Sequence, residues 1–178
     1  MWDEEIVGCP PEAVTARELR TALGKFTSGV CVITTLSDDG KREGITVNSF
    51  ASVSLNPAMV LWSIARGAPS SATFTTAPRF GVNVLSARQK DLSTRFSRPA
   101  ADKFAGLDGV TTGLGAVPML DGAVAQFECR NQFQRYGGDH LIIVGTVDLV
   151  RTWDRPPLVF FAGQYADLDP RHLPQETR

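Results

Sequence analysis

The chain has 178 residues, 43% hydrophobic and 21% charged, with a formal net charge of −1. That length and balance fit one globular domain able to build a core without disulfides or metal, and they exclude long disorder. Eighteen basic residues against nineteen acidic ones leave no cationic excess for nucleic acid or for a membrane surface.

In chain order, residues 1–14 read as a lead-in: Gly8, Pro10 and Pro11 interrupt them and no periodicity is present. The acidic start, Met1 to Ile6, lacks the basic and then apolar stretches of a signal peptide. Thr15-Ala16-Arg17-Glu18 has the form of a capping box, and Leu19, Ala22, Leu23 and Phe26 share a helical face, so a helix is expected over about 15–26. Val30 to Thr35 is continuous and β-branched, Asp38 to Lys41 is a turn, and Ile45 to Phe50 returns as the second strand of a hairpin. Ala51–Leu55 is a further strand, broken by Asn56-Pro57, and Met59–Ile64 is a buried one. A short helix over 71–74, a strand over 80–85 and a helix ending near Ser97 follow. Residues 98–118, rich in Gly and Pro, read as an irregular crossing loop with a small element at Lys103–Leu107. Strands are expected over 123–133, 141–150 and 157–161. Many short strands and few helices argue a mainly β, closed antiparallel barrel with helical decoration. The strand starting at Leu141 is apolar on both faces and needs outside cover, which predicts a homodimer. The domain is expected over 15–168 and a tail over 169–178.

The inventory of reactive side chains is thin. No dinucleotide or phosphate-loop glycine motif, no H-E-x-x-H and no G-x-S-x-G is present. Two histidines, His140 and His172, are too few for a multi-histidine metal site. Cys9, Cys31 and Cys129 are odd in number and lack a C-x-x-C, so they read as inert packed or surface thiols in a reducing cytoplasm. No run of about 18–20 apolar residues exists to span a bilayer. An enzyme so equipped delegates its chemistry to an organic cofactor. Two segments have a second reading beside a structural one. Thr46 to Ser54 is either a polar sheet face with a turn or a wall of donors for a planar heterocycle. Ser70-Ser71-Ala72-Thr73 is either a helix cap or a phosphate subsite, with Arg66 nearby.

Several of these runs together resemble the short-chain flavin reductases: Phe26 to Val30, Thr46 to Pro57, Phe80 to Ser86 with Phe96, Asp102-Lys103-Phe104, Gly138-Asp139-His140 and Gly163-Gln164-Tyr165. The resemblance covers about residues 15–168. It implies an FMN-binding split β-barrel homodimer, antiparallel and Greek-key-like. It also implies that NADH or NADPH reduces FMN or FAD, and that the reduced flavin passes to a separate monooxygenase. Position by position, Thr46, Val47, Asn48 and Ser49 line the isoalloxazine ring and Ser52 adds to that wall. Ser63, Ile64 and Ala65 border its edge and the ribityl chain, Ser70 and Ser71 approach the phosphate, and Asn83 runs beside the flavin. His140 reaches the nicotinamide as an orienting or charge-complementing group, and Tyr165 stands at the pocket mouth. Many members carry Ser or Ala where this chain has Asn48, which leaves the flavin preference open between FMN, slightly favoured, and FAD. The absence of an evident 2′-phosphate clamp leans to NADH over NADPH. Hydride transfer to flavin N5 needs no protein nucleophile, only two rings stacked about 3–3.5 Å apart and donors for the charge that develops. The competing readings are a flavoprotein that keeps its flavin and acts on another small molecule, and a non-catalytic flavin-binding dimer. His172 reads as a surface residue.

Overall fold

The computed structural model describes residues 14–169 and 171. The lead-in up to residue 13, Cys9, His172 and nearly all of the tail lie outside the described residues. Helix α1 spans Ala16–Leu23, and its capping box forms as the sequence implies: Glu18 N–H donates to Thr15 Oγ1 at 3.2 Å and Thr15 N–H to Glu18 Oε2 at 2.9 Å. It ends before the expected Phe26, because Gly24 follows and Lys25 and Phe26 close only single turns onto Ala22 and Leu23.

Seven antiparallel strands form the main sheet: β2 (Cys31–Leu36), β3 (Arg42–Val47), β4 (Ala51–Leu55), β5 (Ala58–Ala65), β6 (Arg79–Val84), β9 (Ala125–Gly137) and β10 (His140–Thr152). Their order is β3-β2-β6-β9-β10-β5-β4, so the two edge strands, β3 and β4, are neighbours in sequence. Six inter-strand spacings would put the edges of a flat sheet about 29 Å apart. The four residue steps from Val47 to Ala51 reach at most about 14 Å. The sheet therefore has to curl until its edges meet, and the barrel closes at residues 48–50. Register shifts between Val144 and Gly145 and between Val147 and Leu149 bend the long β9–β10 pair around the wall. Gly145 leaves the room that the Phe80 ring occupies, since a Cβ there would collide with it.

Two cores explain why β2 is apolar on both faces. Cys31 and Ile33 point into the barrel with Trp62, Ile64, Phe80 and Val82. Val30 and Val32 point outward, under Leu85, Phe96, Phe104 and Leu158. Helix α3 (Lys90–Ser97) and a small sheet of β1 (Ser28–Gly29), β11 (Val159–Phe161) and β12 (Gln164–Ala166) belong to this outer layer. Burial pushes the Cys31 and Cys129 thiols up to about 12, which keeps both as inert packing groups. The segment expected as an irregular loop holds a two-stranded hairpin, β7 (Val110–Thr112) with β8 (Pro118–Leu120). Three-residue strands are too short to show alternation, and β12 escaped sequence reading for the same reason. Among the described residues no helix is long and apolar enough to cross a membrane.

Candidate active site

The barrel seam creates the site. Strand β3 is an edge strand, and Lys103 Nζ donates to the Gly44 carbonyl at 2.9 Å from outside the sheet. In an antiparallel strand each residue turns its N–H and C=O to the same side. Thr46 shares the parity of Gly44, so its backbone groups also face away from β2. Thr46, Val47 and Asn48 form one wall of a cavity of about 210 Å³, with Ser93 of α3, Phe160 and Tyr165 opposite. Through Ser97 this cavity adjoins a second one of about 500 Å³, where Glu43, Ser70, Arg98 and Lys103 meet. Both cavities take lining residues from β3 and share Ser97, and together they are called the trough.

Local structure tunes this trough. Ser93 is fully buried, its carbonyl accepts from Thr46 Oγ1 at 2.7 Å, and its hydroxyl lies 2.8 Å from the Tyr165 hydroxyl. Tyr165 is thereby tied to α3, with its ring edge-on to Phe160 at 5.8 Å. Lys103 Nζ donates also to the Phe96 carbonyl at 2.9 Å, which leaves one of its three N–H donors for the cavity. Burial pushes the Lys103 ammonium below its usual range, against the nearby Glu43 charge.

The residues singled out in the sequence divide. Thr46, Val47, Asn48 and Tyr165 line the first cavity and Ser70 the second. Ser70 is buried, yet its hydroxyl makes no capping bond to helix α2 (Ser71–Thr76), contrary to an ordinary cap. Ser49 lies at the seam: its hydroxyl accepts from Ser63 N–H at 3.0 Å and donates to Ser63 C=O at 3.2 Å. Ser63 and Ala65 face out of the barrel between inward Trp62 and Ile64. Ile64 is a correction, because its side chain is 1% exposed and packs in the barrel core. Asn83 is another. It is fully buried in the middle of the sheet, donating to Val32 C=O at 3.1 Å and accepting from Leu120 N–H at 2.8 Å and Gln126 Nε2 at 3.1 Å. With both ends of its amide engaged there, it ties β6 to β2 and β8. Ser52 is exposed on β4 and lines neither cavity. Ser71 opens α2 beside Ser70.

His140 stands directly across from Ala65 in the β10–β5 ladder, two residues from the Ser63 rung that Ser49 holds. Its Nδ1 lies 2.7 Å from Asp139 Oδ1, and this hydrogen bond, then the imidazole charge, lowers the Asp139 carboxyl from its usual range. The Asp139 carbonyl accepts from Arg66 N–H at 2.9 Å, which fixes the turn against the end of β5. Sequence reading missed Ser93, Ser97, Phe160 and Arg98 as lining residues. The one available signal was the i, i+4 spacing of Ser93 and Ser97 on a helix whose other face is charged.

The trough fits a flat, phosphate-bearing group. The buried Ser28 hydroxyl has no hydrogen-bond partner, and Ser28 stands opposite Phe160, itself opposite Tyr165, so all three share one face. The Thr46 backbone, Asn48 and this aromatic pair suit a heteroaromatic ring, while Lys103, Arg98 and Ser70 suit an anion. Fold and trough together define a mainly β, antiparallel barrel with a polar and aromatic recess along its seam. The chain belongs to the flavin reductase like domain family, whose model matches residues 23–169. It is similar to the FMN reductase (NADH) SmoA of Agrobacterium fabrum, 44% identical over 155 residues, covering 87% of each chain. It is 42% identical over 149 residues to the reductase component of the flavin-dependent trigonelline monooxygenase of Acinetobacter baylyi. That match covers 84% of this chain and only 48% of the longer relative. Among solved structures, the NADH:FAD oxidoreductase SgcE6 of Streptomyces globisporus, in complex with NAD and FAD fragments, is similar with a TM-score of 0.83 at 33% identity. The similarity covers 92% of this chain and 97% of that one.

Proposed function

We propose that the chain is an NADH-dependent flavin reductase that reduces FMN in the β3 trough and releases it to a separate flavin-dependent monooxygenase. The observation that carries this reading is the pair of cavities that share Ser97, one with the Thr46–Asn48 wall and Tyr165, the other with Lys103. Membership of the family, and relatives named as an NADH-dependent FMN reductase and as a monooxygenase reductase component, support it. Flavin bound in the trough supplies a hydride acceptor at N5. The chain's own residues bind and orient. Outward backbone groups of Thr46 and the Asn48 amide meet the polar edge of the ring, and Phe160 with Tyr165 covers one side. Ser63 and Ala65 border the ring edge, and Ser70, Ser71, Arg98 and Lys103 receive the phosphate. His140, held by Asp139, orients the nicotinamide carboxamide.

A homodimer belongs to the same reading. Leu19, Leu23 and Phe26 are 51%, 62% and 79% exposed, and among the described residues α1 has none that is buried. Such an uncovered apolar stripe calls for a partner surface, here a second copy.

The test is a matrix of NADH and NADPH against FMN, FAD and riboflavin, followed as NADH absorbance under air. Added FMN is expected to accelerate NADH oxidation, and purified protein to be largely colourless. A rate unchanged by any flavin would overturn the reading, and a yellow protein that ignores added flavin would point to a retained cofactor. His140→Ala is expected to raise the KM for NADH severalfold while the flavin KM stays within twofold. Equal effects on both would remove His140 from the nicotinamide.

A further inference from the structure

Away from the trough, one recess gathers charge of a single sign. It is a hollow of about 330 Å³ between α1 and the β11–β12 turn, with Arg17, Arg20 and Lys25 on one side and Ala162 and Gly163 on the other. Among the described residues no carboxylate lines it, in a chain whose net charge is −1. Among the described residues none of the three cations forms an ion pair. The carboxylate of α1 nearest them in sequence, Glu18, is engaged by Thr15. The opposite wall is fixed as well. Ala162 and Gly163 have φ of +50° and +80°, and Ala162 N–H donates to the Gly24 carbonyl at 2.9 Å. A left-handed alanine persists only where its surroundings hold it.

The position of the recess gives it a ligand. Phe160 and Tyr165 line the trough, and Ala162 and Gly163 lie two residues further along the same hairpin, about 7 Å at the rise of a strand. The flavin phosphate already has Lys103, Arg98 and Ser70, reached past Ser97 rather than past this hairpin. We propose that the recess receives the diphosphate of the nicotinamide dinucleotide whose reduced ring lies in the trough. The inference rests on the flavin reductase reading above. In such a dinucleotide the diphosphate stands one ribose from the reacting ring, a span comparable to the two-residue step. Two guanidinium groups and an ammonium provide the forked and point-charge donors that a diphosphate takes. Arg17 and Gly24 share one face of α1, Leu19 and Leu23 another, and Arg20 lies between the two beside Leu23.

The experiment compares wild type with Arg20→Gln/Lys25→Gln and, separately, Arg17→Gln, after thermal unfolding has shown each to be folded. All three side chains are on exposed residues, so the fold is expected to survive. Two readouts are taken: the KM values for NADH, FMN and FAD, and the affinity for ADP-ribose by calorimetry, which needs no turnover. The double variant is expected to raise the NADH KM and the ADP-ribose Kd about tenfold, with kcat and both flavin KM values unchanged. Rising salt is expected to weaken NADH binding to wild type more than to the variant. ADP-ribose affinity equal in wild type and both variants, absent binding included, overturns the inference. An FAD KM that rises while the NADH KM stays fixed assigns the recess to the flavin's adenylate and also overturns it. Loss of NADH oxidation in wild type, with ADP-ribose binding intact and sensitive to the variants, would instead count against the flavin reductase reading.

Discussion

Ser49→Ala separates two roles for one hydroxyl. The family resemblance assigns Ser49 to the flavin ring, whereas the structure engages its hydroxyl with both backbone groups of Ser63 at the seam. In effect this side chain continues the β4–β5 ladder beyond its Ala51–Leu61 rung, at the point where the chain crosses the seam. Ser63 is half-buried, so water only partly compensates when the hydroxyl is removed. A neutral hydrogen bond nets about 1 kcal/mol and a stranded buried group costs about 1–3 kcal/mol. Two lost bonds on one residue then amount to about 2 kcal/mol. For a domain of this size that lowers Tm by about 4–8 °C. Differential scanning calorimetry measures the shift, and steady-state titration of FMN measures the competing role. The expected result is a lower Tm with the flavin KM changed only in proportion to any loosening of Asn48. A Tm within about 1 °C of wild type, together with a several-fold rise in flavin KM, would refute the seam assignment and return the hydroxyl to the ring.

Gly44→Ala would place a Cβ 2.5 Å from the Phe96 ring, which is fully buried and packed edge-on against Phe104 at 5.0 Å. The cost is about 1–3 kcal/mol by urea denaturation, and because α3 also carries Ser93 and Ser97 the flavin KM rises with it. Asp148 links β10 to Arg79 of β6 at 2.9 Å and to Arg130 of β9 at 3.0 Å. Partial burial pushes its carboxyl up, but the hydrogen bonds and charges of Arg130 and Arg79 outweigh this and hold it below its usual range. A lowered folded-state pKa adds stability above the unfolded carboxylate value, about 3.9, and loses it as pH falls through the folded one. Asp148→Asn is therefore expected to cost about 0.5–1 kcal/mol at pH 7. The gap from wild type closes as thermal melts are taken to lower pH, and a gap that widens in acid would contradict the assigned sign.

Local sequence alone determined much of the architecture. Thr15 with Glu18 caps α1 through neighbours three residues apart, and the β-branched run of β2 and the Asp38–Lys41 turn make a hairpin by short-range rules. The run from Thr46 to Ser54 stood out because hydroxyl and amide groups are dense there, which left open a polar sheet face or a wall of donors, and only Thr46, Val47 and Asn48 of it line the first cavity. Tertiary structure decided which of those groups line the trough. Ser49 and Thr46 are three residues apart and chemically alike, yet one closes the barrel onto Ser63 and the other stands on the trough. Asn83 looked available on its strand until β2, β8 and Gln126 took both ends of its amide. Lys103, Arg98 and Tyr165 reach the site from segments far along the chain, as do the two sides of the basic recess. Propensity and capping act over a few residues and leave their mark in the sequence. The partner of a buried polar group is chosen by long-range packing, and only the closed barrel fixes it.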